Sequence, residues 1–199
     1  MTTRRATRAE ASACGAVLAR ALRDDAVVAA VIPGEHRREE RLTQSYTASL
    51  LTGAFADGEV DVVESAGRII GLAAWERPGH RTGLGDRLQQ FPRYLRAIGL
   101  RHLRTALRTS EVFTQHRPTT PHWYLADVAV DPAAGGRGIG SELLRTGLAR
   151  VDEEQAAAYL EATTPGSRRL YERFGFVAGA PLDLVPGGYP VAMHRSARR

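Results

Sequence analysis

Three absences in the 199-residue sequence limit what the protein can be. It contains no lysine, which excludes the phosphate-binding P-loop because that motif requires a lysine after its glycines. Cys14 is the only cysteine, which excludes an intrachain disulfide and a cysteine-based metal site. No apolar run approaches the roughly 20 residues of a membrane helix, and the N-terminus lacks the apolar segment of a secretory signal. We therefore expect a cytoplasmic protein.

The composition is that of an ordinary globular chain, with 43% hydrophobic and 25% charged residues. Its length predicts a single domain over residues 1–199. The net charge of +5 suits an anionic partner. A nucleotide cofactor and a nucleic acid both meet that description, so charge alone does not choose between them.

Helical and strand patterns alternate along the chain and predict an α/β (α+β) fold, with a mixed central sheet flanked by helices. Strands are predicted at residues 4–7, 60–64, 68–75, 122–130, 157–162, 176–178 and 189–194, and helices at 8–22, 35–55, 138–154 and 167–174. A Gly/Pro loop is expected between the last two strands.

The segment 84–109 has apolar residues at helical spacing and arginines over much of the remainder. It predicts one or two amphipathic helices, bent at Pro92 or Gly99. We expect the apolar stripe to face the core and the arginines to face solvent. Membrane binding, nucleic-acid binding and a lid over an acceptor pocket are the alternatives.

A glycine-rich segment, VAVDPAAGGRGIGSELL, leads from a buried strand into a helix. Without Cβ atoms, Gly135, Gly136, Gly138 and Gly140 let backbone N–H groups approach a phosphate at a helix N-terminus, and Arg137 adds positive charge. The segment predicts a pyrophosphate site. A dinucleotide-binding fold is a weaker alternative because the motif lies late in the chain, although Glu161 follows about 20 residues on. Glycines that only serve a tight loop are a further alternative.

These residues resemble the acetyl-CoA motif of the GNAT superfamily, in which Gln or Arg precedes, by two intervening residues, a Gly-X-Gly or Gly-X-Ala. Gly138 and Gly140 match, whereas Gly135 stands where the family has Gln or Arg. A second segment, YLEATTPGSRRLYERFGF, resembles the family's strand and helix ending in Leu-Tyr-Glu-Arg-X-Gly-Phe. Within the superfamily, these segments, HRPTTPHWYLADVAVDP and the N-terminal region look like puromycin N-acetyltransferase and its relatives.

The resemblance implies a GNAT fold and an acetyl-CoA-dependent N-acetyltransferase that acetylates a primary amine directly, with a small molecule as acceptor. The acetyl-CoA-binding core would span about residues 122–178, and acceptor contacts would lie between Pro78 and Thr114. The residues expected to bind acetyl-CoA are Val128, Ala129, Val130, Gly136, Arg137, Gly138, Ile139, Gly140 and Ser141.

Two side chains are expected to move protons. Tyr171 resembles the family tyrosine that protonates the departing thiolate, and a phenol of pKa near 10 can do so. Glu161 and Asp127 stand in apolar strands, where a carboxylate is costly unless it is paired or used. Glu161 is the favoured general base because it also stands in the matching YLEAT segment, and a purely structural ion pair is the alternative. Asp127, Tyr124 and His122 are weaker candidates for the base, and we expect each to be structural or to contact the substrate.

Alternatives to this function remain. One is acetylation of a protein N-terminus or lysine, another is a non-catalytic acyl-CoA sensor, and a third is a basic nucleic-acid-binding protein. With the leading hypothesis we expect no metal, no nucleic-acid partner and no membrane partner, and a homodimer stays open.

Overall fold

A computed structural model describes residues 1–186 and 189–198. Its strands are β1 (Thr2–Arg5), β2 (Gly58–Ser65), β3 (Arg68–Glu76), β4 (Trp123–Val130), β5 (Ala158–Ala162), β6 (Val177–Val185) and β7 (Tyr189–Arg195). Its α-helices are α1 (Ala11–Ala21), α2 (Ala26–Val31), α3 (Arg38–Thr52), α4 (Leu84–Ile98), α5 (Leu103–His116), α6 (Ile139–Glu153) and α7 (Pro165–Glu172). The Gly/Pro loop predicted before β7 includes Gly187 and Gly188, which lie outside the described residues.

The strands form one sheet in the order β1-β2-β3-β4-β5-β7-β6. Neighbouring strands run antiparallel except β4 and β5, which are parallel. Side chains of α1 and α3 pack on one face of β2 and β3, while α6 packs on the other face. The predicted mixed sheet flanked by helices is therefore confirmed.

Helix α6 lies unusually close to the sheet. A Cβ atom at Gly147 would come within 2.1 Å of the Trp75 indole nitrogen, so only glycine permits this approach. Trp75 is fully buried in the core between α6 and β3. This packing fixes the start of α6 beside the end of β4.

The expected orientation of the 84–109 stripe was wrong for part of its length. The helix breaks at Gly99, which has a φ of 72°, and Pro92 lies inside α4. Leu84 is 79% exposed and Leu88 is 75% exposed, whereas Ile98 is buried, so the stripe faces solvent at the start of α4 and the core at its end. The physical reason is that α4 packs on α3 rather than on the sheet, through a neighbouring side that includes Ala97.

The short helix α2 was not predicted. It begins where the Asp25 carboxylate accepts the N–H groups of Val27 and Val28. No helix in residues 1–186 or 189–198 combines the length and the apolarity that crossing a bilayer requires.

Candidate active site

The two central parallel strands separate soon after they meet. β4 pairs with β5 only at Trp123–Ala158 and Tyr124–Tyr159. Farther along β4, the Asp131 N–H donates to the Ile70 carbonyl on the β3 side, at 2.8 Å. Because main-chain groups alternate sides along a strand, those of Val128 and Val130 point into the gap. The gap therefore presents main-chain donors and acceptors to an extended ligand.

Ala129 differs from the two valines beside it. Its main-chain groups point toward β3, where it is the partner of Leu72, and its side chain is buried in the core. It holds β4 in the sheet while its neighbours present their main chain to the gap.

The glycine-rich segment forms a tight loop between β4 and α6. The Asp131 carboxylate accepts the Ala133 N–H at 3.1 Å and starts a single helical turn. Gly136 and Gly138 then take positive φ angles of 74° and 75°, which glycine adopts without strain. The Gly135 N–H donates to the Pro132 carbonyl within this turn. Gly135 therefore serves the loop and offers no free donor.

Helix α6 begins directly after this loop with unpaired N–H groups. The first N–H that bonds back to a carbonyl of the turn is that of Glu142, which donates to Gly138 at 3.0 Å. The N–H groups of Ile139, Gly140 and Ser141 precede it in the first helical turn, where no intrahelical acceptor exists. Together with the helix dipole and the exposed Arg137, they form a site suited to a phosphate group. We call residues 136–141 the anion loop.

Three carboxylates lie together where β3, β4 and β5 adjoin. They are Glu76, Asp127 and Glu161, and we call them the carboxylate cluster. Burial, followed by the charges of the other two, raises the pKa of Asp127 to about 7. Burial also raises the pKa of Glu161 to about 7, although Tyr124 and Arg117 act in the opposite direction. Carboxylates with such values exchange protons near neutral pH.

Tyr124 and Arg117 hold this cluster in place. The Tyr124 hydroxyl donates to Glu161 Oε2 at 2.8 Å. The Arg117 guanidinium lies 3.6 Å from the centre of the Tyr124 ring and 3.6 Å from Glu76 Oε2. One cation thus offsets part of the charge of three carboxylates, so the cluster favours a positively charged ligand.

Three buried polar atoms at or beside the cluster lack a hydrogen-bond partner among the described residues: Glu161 Oε1, the Tyr159 hydroxyl and Arg117 Nε. Buried polar atoms are nearly always paired in folded proteins. The Tyr159 hydroxyl lies close enough to Glu161 to lower the pKa of that carboxyl, so these two atoms adjoin and mark one site for a ligand or a water molecule.

A cavity of about 320 Å³ opens beside the cluster, and Glu76 and Tyr124 form part of its lining. The loops on either side supply the rest, from Arg77, Gly79, His80 and Arg81 and from residues 117–122. His122, predicted as a weak candidate, lies there with its ring centre 5.5 Å from that of Tyr159. Of the cluster, Glu76 lines the cavity, and Tyr124, which donates to Glu161, lines it as well, so the cavity reaches the edge of the cluster.

Tyr171 is buried in α7, with its ring centre 6.0 Å from that of Phe176. Burial and the charges of Asp127 and Glu161 raise the pKa of its phenol above the usual value. The shift places Tyr171 within electrostatic reach of the cluster. A phenol in this state stays protonated at neutral pH, as a proton donor must.

Sequence reasoning missed Glu76 and Arg117. Glu76 ends the apolar run of β3, so the pattern that singled out Glu161 applies to it as well. Arg117 lies in a polar loop and is one of 27 arginines in the chain. Nothing in the neighbouring sequence distinguishes it from the others.

Residues 19–176 match the family model described as Acetyltransferase (GNAT) family. Mycothiol acetyltransferase of Acidimicrobium ferrooxidans is 47% identical over 53 residues, which cover 25% of this chain and 17% of that protein. The chain therefore matches well under two thirds of that relative.

Two solved structures are similar over nearly the whole chain. One, described as histone acetyltransferase HPA2 and related acetyltransferase from Corynebacterium glutamicum, has a TM-score of 0.77 and 29% identity, and the match covers 100% of this chain and 97% of that chain. PaiA N-acetyltransferase of Thermoplasma acidophilum, in complex with coenzyme A, has a TM-score of 0.58 and 11% identity, with 98% of each chain covered. At that identity the second likeness concerns the fold alone.

Proposed function

Because the chain belongs to the GNAT acetyltransferase family, we propose that it transfers an acetyl group from acetyl-CoA directly to a primary amine of a small molecule. The observation that carries the proposal is the carboxylate cluster, which adjoins a small cavity and contains two carboxyls of pKa about 7. A protonated amine is attracted to such a cluster and must lose a proton before it can attack a carbonyl.

The proposed cosubstrate site consists of the anion loop and the gap between β4 and β5. Donors of Gly136, Arg137, Gly138, Ile139, Gly140 and Ser141 would hold the pyrophosphate. The main chain of Val128 and Val130 would pair with the pantetheine arm as an added strand, with Ala129 fixing β4 between them. One main-chain N–H at the gap would polarise the thioester oxygen.

Glu161 is the proposed general base. Its free Oε1 would accept the proton that leaves the ammonium, while Oε2 stays bonded to Tyr124. Acetyl-CoA supplies an activated thioester carbonyl to which the neutral amine adds. Tyr171 is the proposed general acid, whose phenolic proton passes to the sulfur as the carbon–sulfur bond breaks. The nitrogen of the adduct loses its second proton as the amide forms, and that proton restores the Tyr171 phenol through solvent. Glu161 then releases its proton to solvent, and the balance is one amide, one thiol and one proton formed from an ammonium and a thioester.

The size of the cavity, about 320 Å³, favours a small acceptor over a polypeptide. The resemblance to puromycin N-acetyltransferase and its relatives makes an aminonucleoside the first acceptor to test. A protein amine is the second candidate, since the similar Corynebacterium glutamicum protein is described as a histone acetyltransferase. A catalytically inactive acyl-CoA sensor would bind the cosubstrate and release no thiol.

The experiment is an assay of free thiol release from acetyl-CoA with a panel of amines: puromycin, an aliphatic polyamine, an amino acid and a lysine-containing peptide. We expect turnover with at least one small amine and a loss of about a hundredfold or more in kcat for Glu161→Gln. Glu40→Gln, which alters an exposed carboxylate on α3, is the matched control.

Binding is measured separately from turnover. Acetyl-CoA should raise the melting temperature of the wild type and of Glu161→Gln alike. No rise in either protein would contradict the proposed cosubstrate site. Turnover with the peptide alone would transfer the assignment to a protein acceptor.

A further inference from the structure

The helical arm, which we define as residues 84–116, carries most of the exposed apolar side chains of the described chain. Seven large hydrophobic residues are exposed in the described chain, and five of them belong to the arm. They are Leu84 (79% exposed), Leu88 (75%), Phe91 (50%), Leu100 (76%) and Leu107 (62%). The first three recur at intervals of four and three residues and therefore lie along one side of α4.

The arm is also strongly basic. It contains six arginines and two carboxylates, for a net charge of +4 where the whole chain has +5. None of the six forms a salt bridge within residues 1–186 and 189–198, and Arg87, Arg101, Arg104 and Arg108 are exposed. Many arginines outside the arm form salt bridges, as Arg150 does with Asp61. The arm therefore presents unneutralised positive charge beside exposed leucines.

We propose that the helical arm docks on the surface of an anionic lipid bilayer. Helices with apolar side chains on one side and unpaired arginines beside them bind in the plane of such a surface. The apolar side chains enter the acyl boundary and the arginines contact lipid phosphates. The proposal revises the expectation of no membrane partner and does not depend on acetyl transfer.

Two other occupants fit the arm less well. In a symmetric dimer through this face, each copy would bring its own net charge of +4 against the other. A nucleic acid would satisfy the arginines but would leave the five apolar side chains against a charged backbone. An anionic bilayer satisfies both sets of side chains.

The arm also joins the chain at the cavity. Residues 77–81 precede α4 and residues 117–122 follow α5, and residues of both loops line the cavity. Docking through the arm would therefore hold the cavity close to the bilayer surface.

The test is co-sedimentation of the full chain with vesicles of phosphatidylcholine, with or without phosphatidylglycerol. We expect binding to the anionic vesicles that weakens as salt is raised and is weak on phosphatidylcholine alone. The double variant Leu88→Gln with Leu107→Gln should bind the anionic vesicles at least about tenfold more weakly than the wild type. Val177→Gln, which replaces a side chain that is 59% exposed on β6, is the matched control.

Four results would overturn the proposal. The first is no binding of the wild type to anionic vesicles. The second is an equal loss of binding in the arm variant and in Val177→Gln. The third is a dimer in light scattering that the arm variant dissociates. The fourth is binding to a DNA duplex that exceeds binding to the vesicles. Melting temperatures of all variants verify folding, and the exposed positions should leave them unchanged within about 2 °C.

Discussion

Replacement of Glu161 by glutamine should change how the stability of the protein depends on pH. The Glu161 carboxyl has a pKa of about 7 in the folded protein, where burial disfavours its charge, against 4.5 when free in water. Below the lower value it is protonated in both states and has no effect. As the pH rises from 4.5 towards 7, the unfolded chain ionises first, and the free energy of unfolding falls.

The magnitude follows from those two values. A tenfold difference in proton affinity corresponds to about 1.4 kcal/mol, so the wild type loses about 3 kcal/mol across this pH range through Glu161. Glutamine has no proton to lose, and its amide oxygen can still accept the Tyr124 hydroxyl. For a chain of this size each kcal/mol moves the melting temperature by roughly 2–4 °C. Part of this loss has already occurred by pH 5, so about 2.5 kcal/mol is lost between pH 5 and pH 8. Glu161→Gln should therefore gain roughly 5–10 °C over the wild type when the pH is raised from 5 to 8.

Differential scanning calorimetry without acetyl-CoA, at pH 5 and pH 8, measures this difference. Comparing each variant with the wild type at the same pH removes effects of pH on the rest of the protein. Glu40→Gln should give the same small difference at both pH values, since its carboxylate is exposed. If Glu161→Gln behaves like Glu40→Gln, the carboxyl is not perturbed by burial, and its assignment as base loses its basis.

Three further predictions concern other parts of the molecule. Tyr171→Phe should lower kcat by about a hundredfold while the Kd for acetyl-CoA, measured by calorimetry, stays unchanged; equal kcat values would remove Tyr171 as the acid. Gly138→Ala places a Cβ at a φ of 75°, so it should cost about 1 kcal/mol of stability and weaken CoA binding in titration; unaltered affinity would argue against the anion loop. Asp61→Asn leaves the Arg150 guanidinium buried without its carboxylate, and urea unfolding should show a loss of about 3 kcal/mol. Glu142→Gln breaks a surface pair and should cost under about 1 kcal/mol; similar losses in the two would contradict the burial argument.

The elements around the glycine-rich segment were predictable because local chemistry determines them. Strand β4 is a compact apolar run, glycines mark the turn, and α6 has apolar residues at helical spacing. The observed strand begins one residue later than predicted, and the observed helix is one residue shorter at each end.

The orientation of α4 was not predictable from its own sequence. An amphipathic pattern shows that one side of a helix is apolar, but not whether anything covers that side. Here α3 covers a side that includes Ala97 and Ile98 and leaves Leu84 and Leu88 exposed, a choice made by tertiary packing. Sequence patterns also fail to predict the position of Arg117. It lies over the Tyr124 ring because of the path of a loop, and that path leaves no periodic pattern in the sequence.

The candidate site was predictable residue by residue but not as a group. Glu161 and Asp127 drew attention as charges within apolar strands. Their proximity to Glu76 results from the pairing of β3 with β4 and of β4 with β5, and that pairing joins residues far apart in the chain.

The brief contact between β4 and β5 has a mechanical consequence. Strand pairing joins β1–β4 to β5–β7 through two residue pairs. The sheet therefore consists of two panels that meet at a short junction beside an open gap. Amide hydrogen exchange in the empty protein should be faster at the edges that face each other across the gap than elsewhere in β4 and β5, because the main-chain groups there lack a strand partner. A ligand that pairs with those edges would become the missing strand and slow that exchange.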